Sequence, residues 1–116
     1  MSKSLSSSVL DNIRQSERDG GFYMRQLEVG DSLLVRTENT MYRIVRTEGG
    51  LTIEGHAEFC PWPVSTRIHG STWGGSMIKT GFIGLGMRLE FAIDRRTYTT
   101  SRIQSVDVVK KGQSWN

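Results

Sequence analysis

Residues 83–93 read IGLGMRLEFAI. Ile83, Leu85, Met87, Leu89, Phe91 and Ile93 alternate with Gly84, Gly86, Arg88, Glu90 and Ala92. An apolar side chain at every second position is the pattern of a strand with one face on a core and the other turned away from it. Read as a single strand, the stretch would run about 36 Å at about 3.3 Å per residue, roughly twice the usual length. A chain of 116 residues is too small to hold such a strand straight, so the reading requires it to curve. Gly81, Gly84 and Gly86 lie at its start, and glycine within a strand marks a bulge, a barrel corner or a close backbone approach.

The flanking sequence carries the same vocabulary. FYMRQLEV (22–29), SLLVRTEN (32–39), TMYRIVRT (40–47) and LTIEGHAEF (51–59) read as short strands, joined by Gly30-Asp31, Glu38-Asn39-Thr40 and Gly49-Gly50. The last strands run through RRTYTTSRIQSVDVVK (95–110), where the phase slips between Ile103 and Val106 and predicts a bulge near Gln104-Ser105. Phe82, Phe91 and Tyr42 are expected in or against the core. The fold expected is all-β: a small curved barrel or tight β-sandwich of about six to eight antiparallel strands, with one short N-terminal helix. That helix lies in SSSVLDNIRQSERDGG (6–21), with a serine to cap it, Val9, Leu10 and Ile13 on one side and Gly20-Gly21 to end it. The chain divides into a loose leader with the helix (1–21), one β-barrel-like domain (22–110) and a tail (111–116) that carries Trp115.

Length and composition suit one globular domain, without a membrane helix or secretory signal, and the lone Cys60 fits a cytoplasmic location. Net charge is +3. Arginine supplies eleven of the fifteen basic side chains, and its planar fork suits phosphate or carboxylate recognition better than lysine does. Glu38, Glu48, Glu54, Glu58 and Glu90 are interleaved with the arginines, and cross-strand ion pairing is the ordinary use of such a pattern.

Catalytic and cofactor motifs fail on context. Ser71 in Gly70-Ser71-Thr72-Trp73-Gly74 lacks the preceding glycine of a nucleophile elbow and a histidine downstream. Gly74-Gly75 stand at the wrong distance from Lys79-Thr80 for a P-loop, and Gly81 to Gly86 lie inside a strand, where a dinucleotide fingerprint does not work. Backbone amides of the Gly70, Ser71, Gly74, Gly75 loop could still form an anion nest. Cys60 with His56 or His69 could form a thiol–imidazole pair. His56, Glu58 and Cys60 would share one face of an extended strand as metal ligands, with His69 beside them.

Ser71-Thr72-Trp73-Gly74-Gly75-Ser76, followed by Gly86-Met87-Arg88-Leu89-Glu90-Phe91, is similar to the cyclic-dinucleotide-binding PilZ barrels, and Arg14 and Arg18 share that family's Arg-x-x-x-Arg spacing. The resemblance spans about twenty residues. His69 stands where the family has Asp or Asn, the gap between the motifs is longer, and too few residues follow for the remaining strands, so membership is not inferred.

The function expected is a non-enzymatic β-barrel binding module that uses no cofactor and no metal. Arg36, Arg46, Arg88 and Arg102, which share a parity, supply charge from exposed strand faces, and Trp62 and Trp73 in loops supply a stacking surface. Single-stranded nucleic acid or another anionic partner fits that combination. The alternative is a homo-oligomeric assembly or protein-interaction protein, in which paired edges hide the strands. An enzyme using Cys60 or a metal at His56 ranks last.

Overall fold

The computed structural model describes residues 20–75 and 77–112. The helix expected in the leader, Arg14, Arg18 and Trp115 lie outside the described residues. The described residues form nine strands: β1 (Gly21–Tyr23), β2 (Ser32–Thr37), β3 (Met41–Thr47), β4 (Gly50–Glu54), β5 (Val64–Thr72), β6 (Lys79–Thr80), β7 (Phe82–Gly84), β8 (Arg88–Ile93) and β9 (Arg96–Val109). A 3-10 turn, Met24–Gln26, follows β1. The architecture is all-β and every pairing is antiparallel.

The pairings form a circuit. β2 pairs with β3, β3 with β4, β4 with β5, β5 with β8, β8 with β9, and β9 returns to β2. β5 and β9 make this possible because each serves two neighbours in the circuit, and β5 pairs with β6 as well. The first residues of β5 pair with β4 and the rest with β8. β9 pairs with β8 up to Arg102 and with β2 from Ile103 onward. Between those halves the register opposite Arg36 and Thr37 jumps from Ser105 to Ile103, leaving Gln104 as the extra residue of a bulge. This is the slip that the sequence phase predicts.

Alternation aims Leu33 and Val35 (β2), Ile44 (β3), Ile53 (β4), Leu89 and Phe91 (β8) and Ile103 (β9) into one core. Phe82, Phe91 and Tyr42 are buried, as expected. The separate β1–β7 pair adds Phe22 and Ile83 to that core. Complete burial of a side chain such as Leu33 or Ile44 contributes about 1.5–3 kcal/mol.

Two expectations are corrected. Residues 83–93 are not one curved strand, because β7 leaves at Gly84 to pair with β1 and β8 begins at Arg88. Between them Gly86 takes a left-handed φ of 81°, and the turn is tied to β9 by Gly86 N–H to Ile103 O (2.8 Å) and Ile103 N–H to Met87 O (2.7 Å). Residues 22–29 are likewise not one strand. Met24 and Leu27, three apart on the tight turn, both reach the core, and Met24 N–H donates to Gly81 O at 2.7 Å. Among the described residues no helix is long and apolar enough to cross a membrane.

Candidate anion-binding face

Arg88 and Arg102 are direct partners in the β8–β9 ladder, and Arg88 is also opposite Thr72 at the end of β5. The row Arg102, Arg88, Thr72 thus crosses three strands at about 4.8 Å per step. Arg88 Nη1 donates to Thr100 O at 3.2 Å, and Arg102 Nη1 donates to Gly86 O at 2.9 Å. Each guanidinium spends one donor on a backbone carbonyl, which fixes its position and leaves its other N–H groups available. Among the described residues neither arginine makes an ion pair. Like charges directly opposite on a ladder are destabilising, so this pair stands against a local cost.

Trp73 follows β5 immediately and is 67% exposed. Its ring edge lies over Gly86, where an added Cβ would stand 3.3 Å from Trp73 Cζ3. Gly86 therefore supports the indole on one side and accepts from Arg102 on the other. The acids nearby are engaged: Glu38 Oε1 accepts Arg102 N–H at 3.1 Å, and Glu90 Oε2 lies 2.8 Å from His69 Nδ1.

Of the residues singled out in the sequence, Trp73, Arg88 and Arg102 come together. Arg36 is exposed on β2 opposite Ser105 and flanks them. Arg46 does not join: its Nη2 donates to Met24 O at 3.3 Å, and among the described residues its buried Nε has no partner. Trp62 is equally exposed but precedes β5, whereas Trp73 follows it. The nine residues of β5, with a register shift between Ile68 and Gly70, lie between them.

The glycine-rich loop divides in the same way. Gly74 and Gly75 are exposed, but Gly74 N–H is held by Thr72 Oγ1 at 3.0 Å and is not free for a nest. Gly70 is buried inside β5, where its missing Cβ lets the Lys79 carbonyl approach. Ser71 is fully buried. It donates to Phe82 O (2.6 Å) and accepts from Gly84 N–H (3.1 Å), a tie between β5 and β7.

Residues 56–60 form a turn, so the extended-strand spacing expected of His56, Glu58 and Cys60 is absent. His56 Nδ1 accepts the N–H groups of Glu58 (3.1 Å) and Phe59 (3.3 Å). Cys60 is buried, and that burial pushes its thiol pKa up. His69 is paired with Glu90, and among the described residues no three His, Cys, Asp or Glu side chains converge as a metal group would need.

Sequence reading missed a cavity of about 160 Å³ beside Arg102, where the β2–β3 turn meets β9 and the loop after β4. Asn39, Tyr42, His56, Phe59, Tyr98 and Ser101 are among its lining residues. They come from three separate stretches, none with a motif; only the aromatic content of 56–59 and 98 offered a signal. Comparison with protein-family models, with curated proteins and with solved structures finds no match for this chain.

Proposed function

We propose that the circuit of strands is a small β-barrel acting as a non-enzymatic binding module, and that single-stranded nucleic acid is its ligand. Phosphates would lie on Arg88 and Arg102, with Arg36 at the flank, and a base would stack on Trp73. The observation that supports this reading is the pair of facing arginines with no acid between them. A bound phosphate turns that repulsion into attraction, and an exposed indole beside it offers the sequence-tolerant platform that single strands use.

The test is a tryptophan-fluorescence titration with mixed-sequence single-stranded RNA at about 50 and about 200 mM salt. Three phosphate contacts give a log–log slope near −2 at about −0.7 each, hence a roughly fifteen- to twenty-fold loss of affinity between the two conditions. Arg88→Glu and Trp73→Ala should abolish binding. Unchanged affinity in both variants would remove Arg88 and Trp73 as the site, and no binding by the unaltered chain would remove nucleic acid as the ligand.

A second reading, association with another copy, is favoured by one observation: Trp73 and Leu85 are exposed apolar side chains at the Gly86 turn. On that reading Trp73→Ala and Arg88→Glu change the solution mass and leave RNA without effect.

A further inference from the structure

We propose that the cavity beside Arg102 holds one unstacked pyrimidine base of a strand bound along the arginine row. The inference rests on the single-strand reading above and adds a preference that reading does not contain.

Size is the first argument. The cavity measures about 160 Å³, and an enclosed space of about 150 Å³ takes a single six-membered ring. The cavity is open on one side, so a pyrimidine ring fills it and the second ring of a purine would project towards solvent. Walls are the second. The Phe59 and Tyr98 rings lie 4.6 Å apart between centroids, and Phe59, 39% exposed, also stacks on His56 at 4.3 Å. Phe59 is thus covered by His56 and by Tyr98, which itself stacks on Phe91, so a base in the cavity meets the edges of this aromatic stack.

Polarity is the third argument. No Lys, Arg, Asp or Glu lines the cavity, so the group that enters is uncharged. Its hydrogen-bonding groups are those of a base reader. Asn39 offers an amide with both donors and an acceptor, on a backbone fixed by Asn39 N–H to Ser101 Oγ at 3.2 Å. His56 Nδ1 already accepts two N–H groups, which leaves Nε2 as the ring's N–H donor for a base carbonyl.

Position is the fourth. Ser101 directly precedes Arg102, and Asn39 directly follows Glu38, whose N–H donates to Arg102 O at 3.0 Å. The cavity therefore adjoins the backbone of Arg102, and a strand with a phosphate on its guanidinium, held at Gly86 O, would turn there to place a base in the cavity.

The experiment compares oligouridine and oligoadenosine of equal length on the full chain by fluorescence at about 50 mM salt. Oligouridine is expected to bind about tenfold more tightly, the worth of one good base contact. Asn39→Ala and Thr99→Phe, both at exposed positions lining the cavity, should abolish the preference and leave the salt slope unchanged. Loss of the preference in the variants also separates base reading from the self-stacking of oligoadenosine. Equal affinities with a normal salt slope would overturn the pyrimidine site and leave the single-strand reading standing; no binding of either oligomer would overturn both. Free uridine should shift the amide resonances of Asn39, Thr40 and Ser101. Shifts with a neutral monosaccharide but not with uridine would make this a sugar site instead.

Discussion

Lys110 Nζ lies 2.7 Å from Oδ2 of Asp31, a carboxylate only 2% exposed, and this contact ties the exit of β9 to the start of β2. Asp31 also accepts the N–H groups of Glu28 (3.0 Å) and Lys111 (3.1 Å), and Lys110 reaches Glu28 Oε1 at 2.8 Å. Burial alone would raise the Asp31 pKa, but the Lys110 hydrogen bond, the backbone donors and the Lys110 charge outweigh it and hold it below its ordinary value. Hydrogen bonds from Lys110 to Asp31 and Glu28 raise the Lys110 pKa against a smaller effect of burial.

The sign of the pH dependence follows. A depressed carboxylate contributes stability that is present above the unfolded aspartate pKa of about 3.9 and is lost as pH falls through the lower folded value. A raised lysine contributes stability that is present below about 10.4 and is lost as pH rises through the higher folded value. Urea denaturation should show no contribution from the clamp to the pH dependence between about 5 and 9, with losses outside that range. Asp31→Asn should cost about 2 kcal/mol at neutral pH and flatten the acid limb.

Ser71→Ala tests a structural role. It leaves the Phe82 carbonyl and the Gly84 amide without their buried partner, which should cost about 1–3 kcal/mol in chemical denaturation. Single-strand affinity measured below the unfolding transition should not change, because Ser71 is sealed beneath the loop.

Arg102→Gln separates stability from binding. Glutamine keeps a donor for Gly86 O while removing the charge opposite Arg88. Relief of the cross-strand repulsion should raise stability by about 0.2–1 kcal/mol. The salt slope of RNA binding should fall by about 0.7, the share of one phosphate contact. A variant that is more stable yet binds less well is the expected outcome, read by thermal denaturation and by the titration.

Cys60 should resist thiol reagents in the native protein. Its thiol is buried and its pKa is raised mainly by that burial, so little thiolate forms and less is reachable. Reaction with a disulfide reagent should proceed only at the rate of unfolding and become rapid in urea.

The strands β2 and β3 were legible because their alternation is bounded by turn residues that the structure uses as turns; the strand read over 51–59 ends at Glu54, and Gly55 after it takes a positive φ of 134°. The Gln104 bulge was legible because one extra residue reverses which side chains face inward, and a phase count detects it. The break within 83–93 was not. Ile83 before it and Met87, Leu89 and Phe91 after it are all buried, so the turn preserves parity and is invisible to period. What ends β7 is its pairing with β1, sixty residues earlier in the chain (Phe22 with Ile83 is a separation of 83 − 22 = 61). Parity misled at Arg46 for a related reason. It orders residues within one strand, whereas Arg46 sits on β3, whose neighbours bring it to Met24 O and not to Arg88. Trp62 and Trp73 were read together as one stacking surface in loops, but β5 runs between them and places them beyond its two ends.

The return of β9 to β2 has a consequence for how the chain acquires its structure. Ser32 pairs with Val109 and Gly21 with Gly84, so these contacts join segments that lie far apart along the chain. The hairpins β2–β3 and β3–β4 can form from local sequence, but the pairing that completes the circuit has to wait for nearly all the intervening residues. Such topologies fold in milliseconds to seconds, not microseconds. Stopped-flow refolding of the Asp31→Asn chain should show accelerated unfolding with little change in the folding rate, because the clamp it removes belongs to the last pairing made. Once made, that pairing leaves none of the six strands in the circuit as a full-length open edge, and the edge segments that remain lie on the halves of β5 and β9 and on the β1–β7 pair.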